Sequence, residues 1–261
     1  MTIAPVLTIA GSDSSGGAGV QADLKTMTML GCFGMSAITA LTAQNTLGVQ
    51  GICPVPAEFL KQQIAAVCED IPPAAVKVGM VYDTPQILAI AEAVAQYQLP
   101  HVVVDPVMVA TSGDPLLKLQ AQQALTEQLF PLAELLTPNL PEAEQLTGTS
   151  ITSPPQMEQA ARQLSETYHT AVLLKGGHSV GSCNDLLYAA GTATWFSGQR
   201  TDTPNTHAPA APCPRRLHLF WHRGLRWKKA SAAERRISAV PLRQACRWDT
   251  DTDRLHITMQ F

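Results

Sequence analysis

Hydrophobic and polar positions follow two alternating patterns along most of the chain. Short continuous apolar runs, as in residues 5–10 and 171–174, predict strands that are buried on both faces. Between them, apolar residues recur every three or four positions, as in residues 19–31 and 56–70, which predicts amphipathic helices. Further strands are predicted within 33–46, 74–80, 101–108, 132–139 and 184–198, and further helices at 84–98, 115–130 and 153–169.

This alternation predicts an α/β fold with a mainly parallel central sheet and helices on both faces. The helix at 84–98 is expected to have Thr84 as its N-cap, with Pro85 in its first position. Polar residues follow several predicted strands, and ligands bind beyond the carboxyl ends of the strands in such sheets. These polar stretches read GSDSSGGAG, AQN, GM, DPVM, TPNLPEAE and KGGH.

The stretch GSDSSGGAGVQAD, residues 11–23, is the most distinctive of them. Its glycines allow a ligand to approach the backbone, and the helix that follows presents free N–H groups at its start. The spacing is neither that of a P-loop nor that of a dinucleotide-binding fingerprint. The alternative interpretation is a tight turn between a strand and a helix.

Single residues in the other polar stretches suggest chemistry, each beside a structural alternative. Gln44, with Asn45, could read the donor–acceptor edge of a ring or act as a loop amide. Asp105 could hold Mg²⁺ or form a turn. Asn139 and Glu142 could help to hold a metal–phosphate group or serve as a helix cap and a first-turn acid.

Lys175 ends a predicted buried strand and precedes two glycines. Its ammonium group could contact phosphate oxygens. The alternative is a lysine whose aliphatic stem lies along an apolar surface.

Together these stretches resemble the hydroxymethylpyrimidine/phosphomethylpyrimidine kinases of thiamine biosynthesis, which have the ribokinase-like fold. The resemblance extends over residues 5–207. It is carried by TIAGSDSSGGAGVQADLKT, TALTAQNT, KVGM, VVVDPVMVATSGDPLL, LLTPNLPEAEQLTG, VLLKGGH, DLLY and DTPNTH. It implies a three-layer sandwich and an ATP- and Mg²⁺-dependent transferase. Its substrates would be 4-amino-5-hydroxymethyl-2-methylpyrimidine and then its monophosphate.

The resemblance also implies roles for residues of this chain. The expected pyrimidine-binding residues are Gly11, Asp23, Gln44, Met80 and Val107. Asp105 is expected at the metal, and Asn139, Glu142 and Lys175 are expected at the phosphates. This chemistry depends on in-line positioning and charge stabilisation, with little covalent participation by the protein.

After His207 the chain leaves the family pattern. The family continues with Gly-Thr-Gly-Cys, a turn that donates N–H groups to the transferred phosphoryl group and supplies a cysteine near the substrate hydroxyl. This chain has Ala208-Pro209-Ala210-Ala211 instead. Pro209 has no N–H group, and Ala211 stands at the position of the family's base, so no catalytic residue is predicted.

The composition changes at the same point. Residues 1–207 contain 7 Lys and Arg against 17 Asp and Glu, whereas residues 208–261 contain 11 against 4 and three of the four tryptophans. HGTGCTLS can be encoded as CAC GGC ACC GGC TGC ACC CTG TCC. Deletion of one G after CAC gives HAPAAPCP, which is the sequence of residues 207–214. We therefore predict an incomplete kinase domain at 1–207 and an irregular, out-of-frame basic tail at 208–261, with activity lost or impaired.

Three other interpretations stay open. The product could bind the pyrimidine without catalysis or be misfolded, it could be a pyridoxal-type kinase of the same fold, or its basic tail could bind nucleic acid. The favoured interpretation expects a small-molecule substrate, no nucleic acid, no membrane contact and a possible homodimer. Scattered cysteines and the absence of a recognisable signal peptide suggest a cytoplasmic protein.

Overall fold

A computed structural model of the chain describes residues 3–108, 119–176 and 184–196. Contacts divide the chain into Met1–Gly224 and Leu225–Phe261, and all described residues belong to the first unit. The predicted boundary after residue 207, the irregular tail and the replaced Gly-Thr-Gly-Cys turn at 208–211 lie outside the described residues.

The strands of the described residues form one nine-stranded sheet in the order β3-β2-β1-β4-β5-β6-β7-β8-β9. Strands β2, β1, β4, β5, β6 and β7 are parallel. At one edge β3 pairs antiparallel with β2, and at the other β8 pairs antiparallel with both β7 and β9. The bounds are β1 Pro5–Asp13, β2 Phe33–Asn45, β3 Gly48–Pro54, β4 Ala75–Val78, β5 Val102–Val104, β6 Leu135–Leu136, β7 Ala171–Leu174, β8 Asp185–Ala189 and β9 Thr192–Phe196. The predicted mainly parallel α/β sheet is confirmed.

Five helices of the described residues match the predicted periodic segments, and a sixth follows the candidate cap Asn139. They are α1 Gly19–Met29, α2 Ala57–Asp70, α3 Thr84–Gln96, α4 Leu119–Ala124, α5 Leu140–Thr147 and α6 Pro154–Tyr168. Helix α4 continues through a π-helical turn, Leu125–Leu129, and a 3₁₀ turn, Phe130–Leu132.

Helices lie on both faces of the sheet, as predicted. On one face, Thr8 of β1 and Lys77 of β4 are hydrogen-bonded to Asp23 of α1. On the other face, Leu7 and Ile9 belong to a buried cluster with apolar side chains of the remaining helices. Those helical side chains include Leu60, Ile64, Ile87, Ile90, Ala124, Leu140, Met157 and Leu164. The period-two alternation of β1 and β4 therefore separates a polar contact to α1 from the main core.

Two local predictions are corrected by the structure. The N-cap of α3 is Asp83, whose carboxylate accepts a hydrogen bond from the Gln86 N–H at 3.1 Å, so Thr84 is already helical. The backbone of Asp83 is extended and its side chain is a strong cap, which explains the shift by one residue. Strand β3 was not predicted, because its exposed residues at the sheet edge give no apolar run.

Candidate active site

The loop between β1 and α1 is organised by the carboxylate of Asp13. One oxygen accepts hydrogen bonds from the Ser15 N–H at 2.9 Å and the Ser15 hydroxyl at 2.8 Å. The other accepts from the N–H groups of Gly17 at 2.9 Å and Ala18 at 2.8 Å. The glycine-rich stretch is therefore folded around a buried anion that belongs to the chain itself.

Asp13 is ionised in this loop. Burial acts to raise the pKa of Asp13, but the hydrogen bonds from Ser15, Ala18 and Gly17 outweigh it, so the pKa is lowered. In the sequence, Asp13 stands only as one letter of the glycine-rich stretch. The signal that could have found it is an aspartate two residues before a serine, which is typical of an aspartate-centred turn.

Gly11, Gly19 and Met80 lie close together where β1, α1 and β4 meet. A Cβ added to Gly11 would lie 3.1 Å from the Met80 Sδ. A Cβ added to Gly19, at the start of α1, would overlap the Gly11 carbonyl oxygen. The absence of side chains at both glycines allows this approach of loop, helix and methionine.

Asp23 forms a largely buried ion pair that the sequence pattern did not predict. Its two oxygens accept hydrogen bonds from the Lys77 Nζ at 2.8 and 2.7 Å, and one also accepts from the Thr8 hydroxyl at 2.7 Å. The side chains of Lys77 and Asp23 are 11% and 10% exposed. A lysine within the apolar run AAVKVGM was the available signal, because a lysine is rarely buried without a partner.

Gln44 lies at the end of β2 beside the glycine-rich loop. The Ser14 hydroxyl oxygen accepts a hydrogen bond from the Gln44 N–H at 2.8 Å and lies 2.7 Å from the Gln44 carbonyl oxygen. The side-chain oxygen of Gln44 lies 3.1 Å from the Thr42 hydroxyl. The half-buried amide is thus held next to the loop that follows β1.

A second group of predicted residues lies at the ends of β5, β6 and β7. The Lys175 Nζ donates to the Asp105 carboxylate at 2.7 Å, and the two side chains are 14% and 10% exposed. The Asn139 side chain accepts from the Glu142 N–H at 2.9 Å, and the Glu142 carboxylate accepts from the Asn139 N–H at 2.8 Å. The expected cap and first-turn acid of α5 are therefore a reciprocal capping box.

Glu142 is 4% exposed, and its charge is unfavourable in this position. Burial raises the pKa of Glu142 to about 7, with a further upward contribution from the Asp105 carboxylate. The Lys175 ammonium and the N–H groups of Asn139 and Met108 act in the opposite direction. The three charged side chains thus form one electrostatically linked cluster.

The cluster is suited to a hard cation and phosphate. Carboxylate oxygens, as on Asp105 and Glu142, are ligands that Mg²⁺ prefers, and Mg²⁺ usually takes only one or two of them together with phosphates and water. Within residues 3–108, 119–176 and 184–196, no group of three or more His, Cys, Asp or Glu could hold a metal by itself.

The predicted site residues form two groups along one edge of the sheet. Gly11, Gln44 and Met80 lie towards the carboxyl ends of β1, β2 and β4, whereas Asp23 is bonded to Thr8 and Lys77 within β1 and β4. Asp105, Asn139, Glu142 and Lys175 lie at the ends of β5 to β7, where residues 139 and 175 form a parallel bridge. Val107 is half-buried, and its N–H donates to the Asp105 carbonyl oxygen at 2.8 Å. The predicted base position, Ala211, lies outside the described residues.

None of the helices that the structure describes is long and apolar enough to cross a membrane.

Known proteins of one enzyme family match most of the chain. The sequence model of the family described as phosphomethylpyrimidine kinase matches residues 13–210. The hydroxymethylpyrimidine/phosphomethylpyrimidine kinase of Haemophilus influenzae is 48% identical over 207 residues, which is 77% of this chain and 77% of that protein. A thiamine biosynthesis bifunctional protein, ThiED, of Geobacter sulfurreducens is 46% identical over 241 residues, or 92% of this chain. This chain covers only about half, 49%, of the bifunctional protein.

Solved structures give the same result for the fold. The phosphomethylpyrimidine kinase of Clostridium difficile superposes with a TM-score of 0.71 and 47% identity, over 75% of this chain and 85% of that one. The Bacillus subtilis pyridoxal kinase in complex with ADP has a TM-score of 0.72 and 36% identity, over 80% of each chain. The predicted ribokinase-like fold class is confirmed. The family model ends at residue 210. The Geobacter alignment covers 92% of the chain and therefore includes residues beyond that point.

Proposed function

The chain belongs to the phosphomethylpyrimidine kinase family, and from this premise we propose the reaction that its site serves. ATP, held with Mg²⁺, donates a phosphoryl group to 4-amino-5-hydroxymethyl-2-methylpyrimidine and then to its monophosphate, in thiamine biosynthesis. The observation that carries the proposal is the arrangement of two residue groups at the carboxyl edge of one sheet. One of them contains the Gly11–Met80 contact and the other the Asp105–Lys175 ion pair.

The pyrimidine occupies the group around β1, β2 and β4 in this proposal. The amide of Gln44 reads the aminopyrimidine edge, because an amide offers both a donor and an acceptor. Met80 and Val107 pack on the ring, and Gly11 allows the ring to approach the backbone. Asp23 lines the same site with a carboxylate that Lys77 and Thr8 hold in place.

The phosphates of ATP occupy the group at β5 to β7. The ammonium of Lys175 binds phosphate oxygens, and the carboxylates of Asp105 and Glu142 hold Mg²⁺. Asn139 orients Glu142 through the capping box. When bound, Mg²⁺ neutralises charge that develops on the transferred group.

This particular chain is impaired in the proposal, because Ala208-Pro209-Ala210-Ala211 stands where the family has Gly-Thr-Gly-Cys. Removal of one donor to a developing oxyanion costs about 10²–10³ in rate. Removal of a general base costs roughly 10²–10⁴. The chain therefore retains the substrate-binding residues but lacks the groups that accelerate transfer.

The test compares the chain with a version repaired by one base. Sequencing of the gene across codons 200–215 should show the single-base slip. Restoration of that base should raise ATP-dependent phosphorylation of the aminopyrimidine by at least about 10²-fold. An intact frame in independent isolates, or no gain after repair, would contradict the proposal.

A pyridoxal-type kinase is the second candidate, because a pyridoxal kinase superposes as well as a phosphomethylpyrimidine kinase does. The same assay, run with pyridoxal and with the aminopyrimidine, separates the two. Faster turnover of pyridoxal by the repaired chain would favour this second candidate. Calorimetry of the original chain with the pyrimidine distinguishes a binder without catalysis from a misfolded product, which should give no heat of binding.

Two further expectations about the molecule's surroundings remain proposals. A cytoplasmic homodimer fits the exposed apolar side chains of the β2–β3 hairpin, among them Leu41, which is 50% exposed, and Leu47, which is 92% exposed. Light scattering during size-exclusion chromatography measures the oligomeric state directly. Filter binding with and without residues 208–261 tests the rival expectation that the tail binds nucleic acid.

A further inference from the structure

Gln86 is a buried amide that joins three separate backbone segments. It lies in the first turn of α3 and is 1% exposed. Its Nε2 donates to the carbonyl oxygens of Thr39 at 2.8 Å and Val55 at 2.6 Å. Its Oε1 accepts from the Tyr82 N–H at 3.0 Å. Both amide hydrogens and the amide oxygen are thus used, each for a different segment.

These segments surround the proposed pyrimidine site. Thr39 lies in β2, five residues before Gln44, and Val55 directly follows the edge strand β3. Tyr82 belongs to the connection between β4 and α3, which also contains Met80. The side chain of Gln86 therefore bridges the β2–β3 hairpin and the loop that carries Met80.

A second hydrogen bond extends this connection to Met80 itself. The Thr39 hydroxyl donates to the Met80 carbonyl oxygen at 2.7 Å. The Thr39 carbonyl oxygen also accepts from the Val55 N–H at 2.9 Å. Met80 is thus held from Thr39 on one side, while its Sδ lies against Gly11 on the other.

We propose that Gln86 is a positioning residue for the pyrimidine site, where it holds the Met80 loop and the β2–β3 hairpin at the spacing that the ring requires. This role rests on the proposed function, since Gln86 acts through Met80 and makes no contact with the reacting groups. An apolar residue in its place leaves the Tyr82 N–H and the Val55 carbonyl without their partner in the interior. Relief of that cost requires the loop to move, and Met80 moves with it.

The chain offers a matched control in Gln63 of α2. Its side chain accepts from the Ile38 N–H at 2.9 Å and donates to the Ile38 carbonyl oxygen at 3.1 Å. Gln63 therefore bonds the same strand one residue away from Thr39, and neither of these hydrogen bonds involves the Met80 loop. Loss of Gln63 removes comparable hydrogen bonds from β2 and leaves the connection to Met80 intact.

The experiment compares Gln86→Met, Gln63→Met and Thr39→Val in the full chain. Methionine preserves the length of glutamine, and valine preserves the shape of threonine without its hydroxyl. Calorimetry measures the Kd of 4-amino-5-hydroxymethyl-2-methylpyrimidine, and amide hydrogen exchange measures protection of residues 80–82. Near-ultraviolet circular dichroism verifies that each variant is folded.

We expect Gln86→Met to weaken pyrimidine binding about tenfold, because small displacements of positioning groups have large effects. Exchange at residues 80–82 should accelerate in the same variant. Thr39→Val should also weaken pyrimidine binding and accelerate exchange at residues 80–82, but by smaller factors than Gln86→Met. Gln63→Met should bind within about twofold of the parent, as expected for an independent site.

Equal affinity in folded Gln86→Met and parent, or equal weakening in Gln86→Met and Gln63→Met, would overturn the positioning role. If Gln86→Met does not fold, Thr39→Val decides, and an unchanged Kd in that variant overturns the role. A parent chain that binds no pyrimidine contradicts the proposed function instead. The exchange rates at residues 80–82 then test the positioning of the loop by themselves.

Discussion

Two buried carboxyl groups at the site have pKa values shifted in opposite directions. Asp13 and Glu142 are 2% and 4% exposed, and burial acts to raise the pKa of both. For Asp13, the hydrogen bonds of the glycine-rich loop outweigh burial, so the pKa is lowered. For Glu142, burial dominates and the pKa is raised to about 7. At Asp13 the Ser15 hydroxyl and the N–H groups of the loop together exceed the effect of burial, whereas at Glu142 the Lys175 ammonium and two N–H groups do not.

Glu142 should make the stability of the protein fall as the pH rises. Because its pKa in the folded state is raised from 4.5 to about 7, the folded protein retains a proton that the unfolded chain releases. The stabilising contribution of Glu142 is present below the pKa that this residue has in the unfolded chain. It is lost as the pH rises through the pKa of Glu142 in the folded protein. The unfolding free energy of the parent should therefore fall by on the order of 1–3 kcal/mol between about pH 5 and pH 8, and Glu142→Gln should remove this fall. Urea unfolding across this range measures it.

The control for that experiment is Glu166→Gln, which removes an exposed carboxylate from α6. Its pH profile should coincide with that of the parent. A Glu142→Gln profile as steep as the parent's would show that Glu142 is not the group responsible.

Asp13 should have the opposite linkage. Its lowered pKa means that its contribution to stability is present above the ordinary pKa and is lost as the pH falls through the folded value. Asp13→Asn places an NH₂ group where N–H donors converge, so we expect a loss of about 1–3 kcal/mol at neutral pH. Urea unfolding should show this loss, whereas Asp70→Asn, at the exposed end of α2, should be nearly neutral. A neutral Asp13→Asn would contradict the role given to this carboxylate.

At the scale of elements, the ends of helices and strands decide where the site lies. The turn into α1 has Gly19 at φ +58° beside the Gly11 carbonyl, so the helix begins directly against β1. Helix α5 begins with the Asn139–Glu142 capping box and ends at Gly148 with φ 68°. These devices place both helix starts at the carboxyl edge of the sheet, where the two groups of site residues lie.

Gly19 and Gly31 flank α1 and provide a matched pair of substitutions. Both have positive φ, +58° and +73°, but only a Cβ at Gly19 would overlap a backbone atom. Gly31→Ala should cost about 1 kcal/mol from backbone strain alone. Gly19→Ala should cost about 3 kcal/mol or more, because the carbonyl of Gly11 must move. Equal unfolding free energies for the two variants would show that the contact does not constrain the turn.

At the scale of the whole molecule, the two groups of site residues are supported by different parts of the sheet. The proposed pyrimidine group depends on β1, β2 and β4 with α1, all within the described residues. The proposed phosphate group lies at β5 to β7, and in the proposal it is completed by the turn at residues 208–211, where the family resemblance expects Gly-Thr-Gly-Cys and this chain has Ala-Pro-Ala-Ala. Damage at that turn should therefore affect the two ligands unequally.

We expect the pyrimidine to raise the Tm of the original and the repaired chain by similar amounts. ATP with Mg²⁺ should raise the Tm of the repaired chain more, because ligand stabilisation follows affinity and the repaired chain regains amide donors. Differential scanning calorimetry at matched ligand concentrations measures both shifts. The same ATP–Mg²⁺ shift in both chains would contradict the assignment of a phosphate-binding role to the missing turn.

The sequence by itself determined the fold class, most elements and most of the candidate site, because hydrophobic period and polar strand ends depend only on local order along the chain. The capping box at Asn139 and Glu142 followed from such a pattern, whereas the Asp83 cap was displaced by one residue. Family resemblance supplied the roles, which remain proposals for the individual residues.

Only the tertiary structure decided which polar groups pair. Lys77 meets Asp23 across 54 residues, Lys175 meets Asp105 across 70, and Gln86 reaches Thr39 across 47. The edge strand β3 likewise depends on pairing with β2 and has no apolar run of its own. The physical reason is that burial forces each charge or amide to find a partner, and the position of that partner is set by strand order and register.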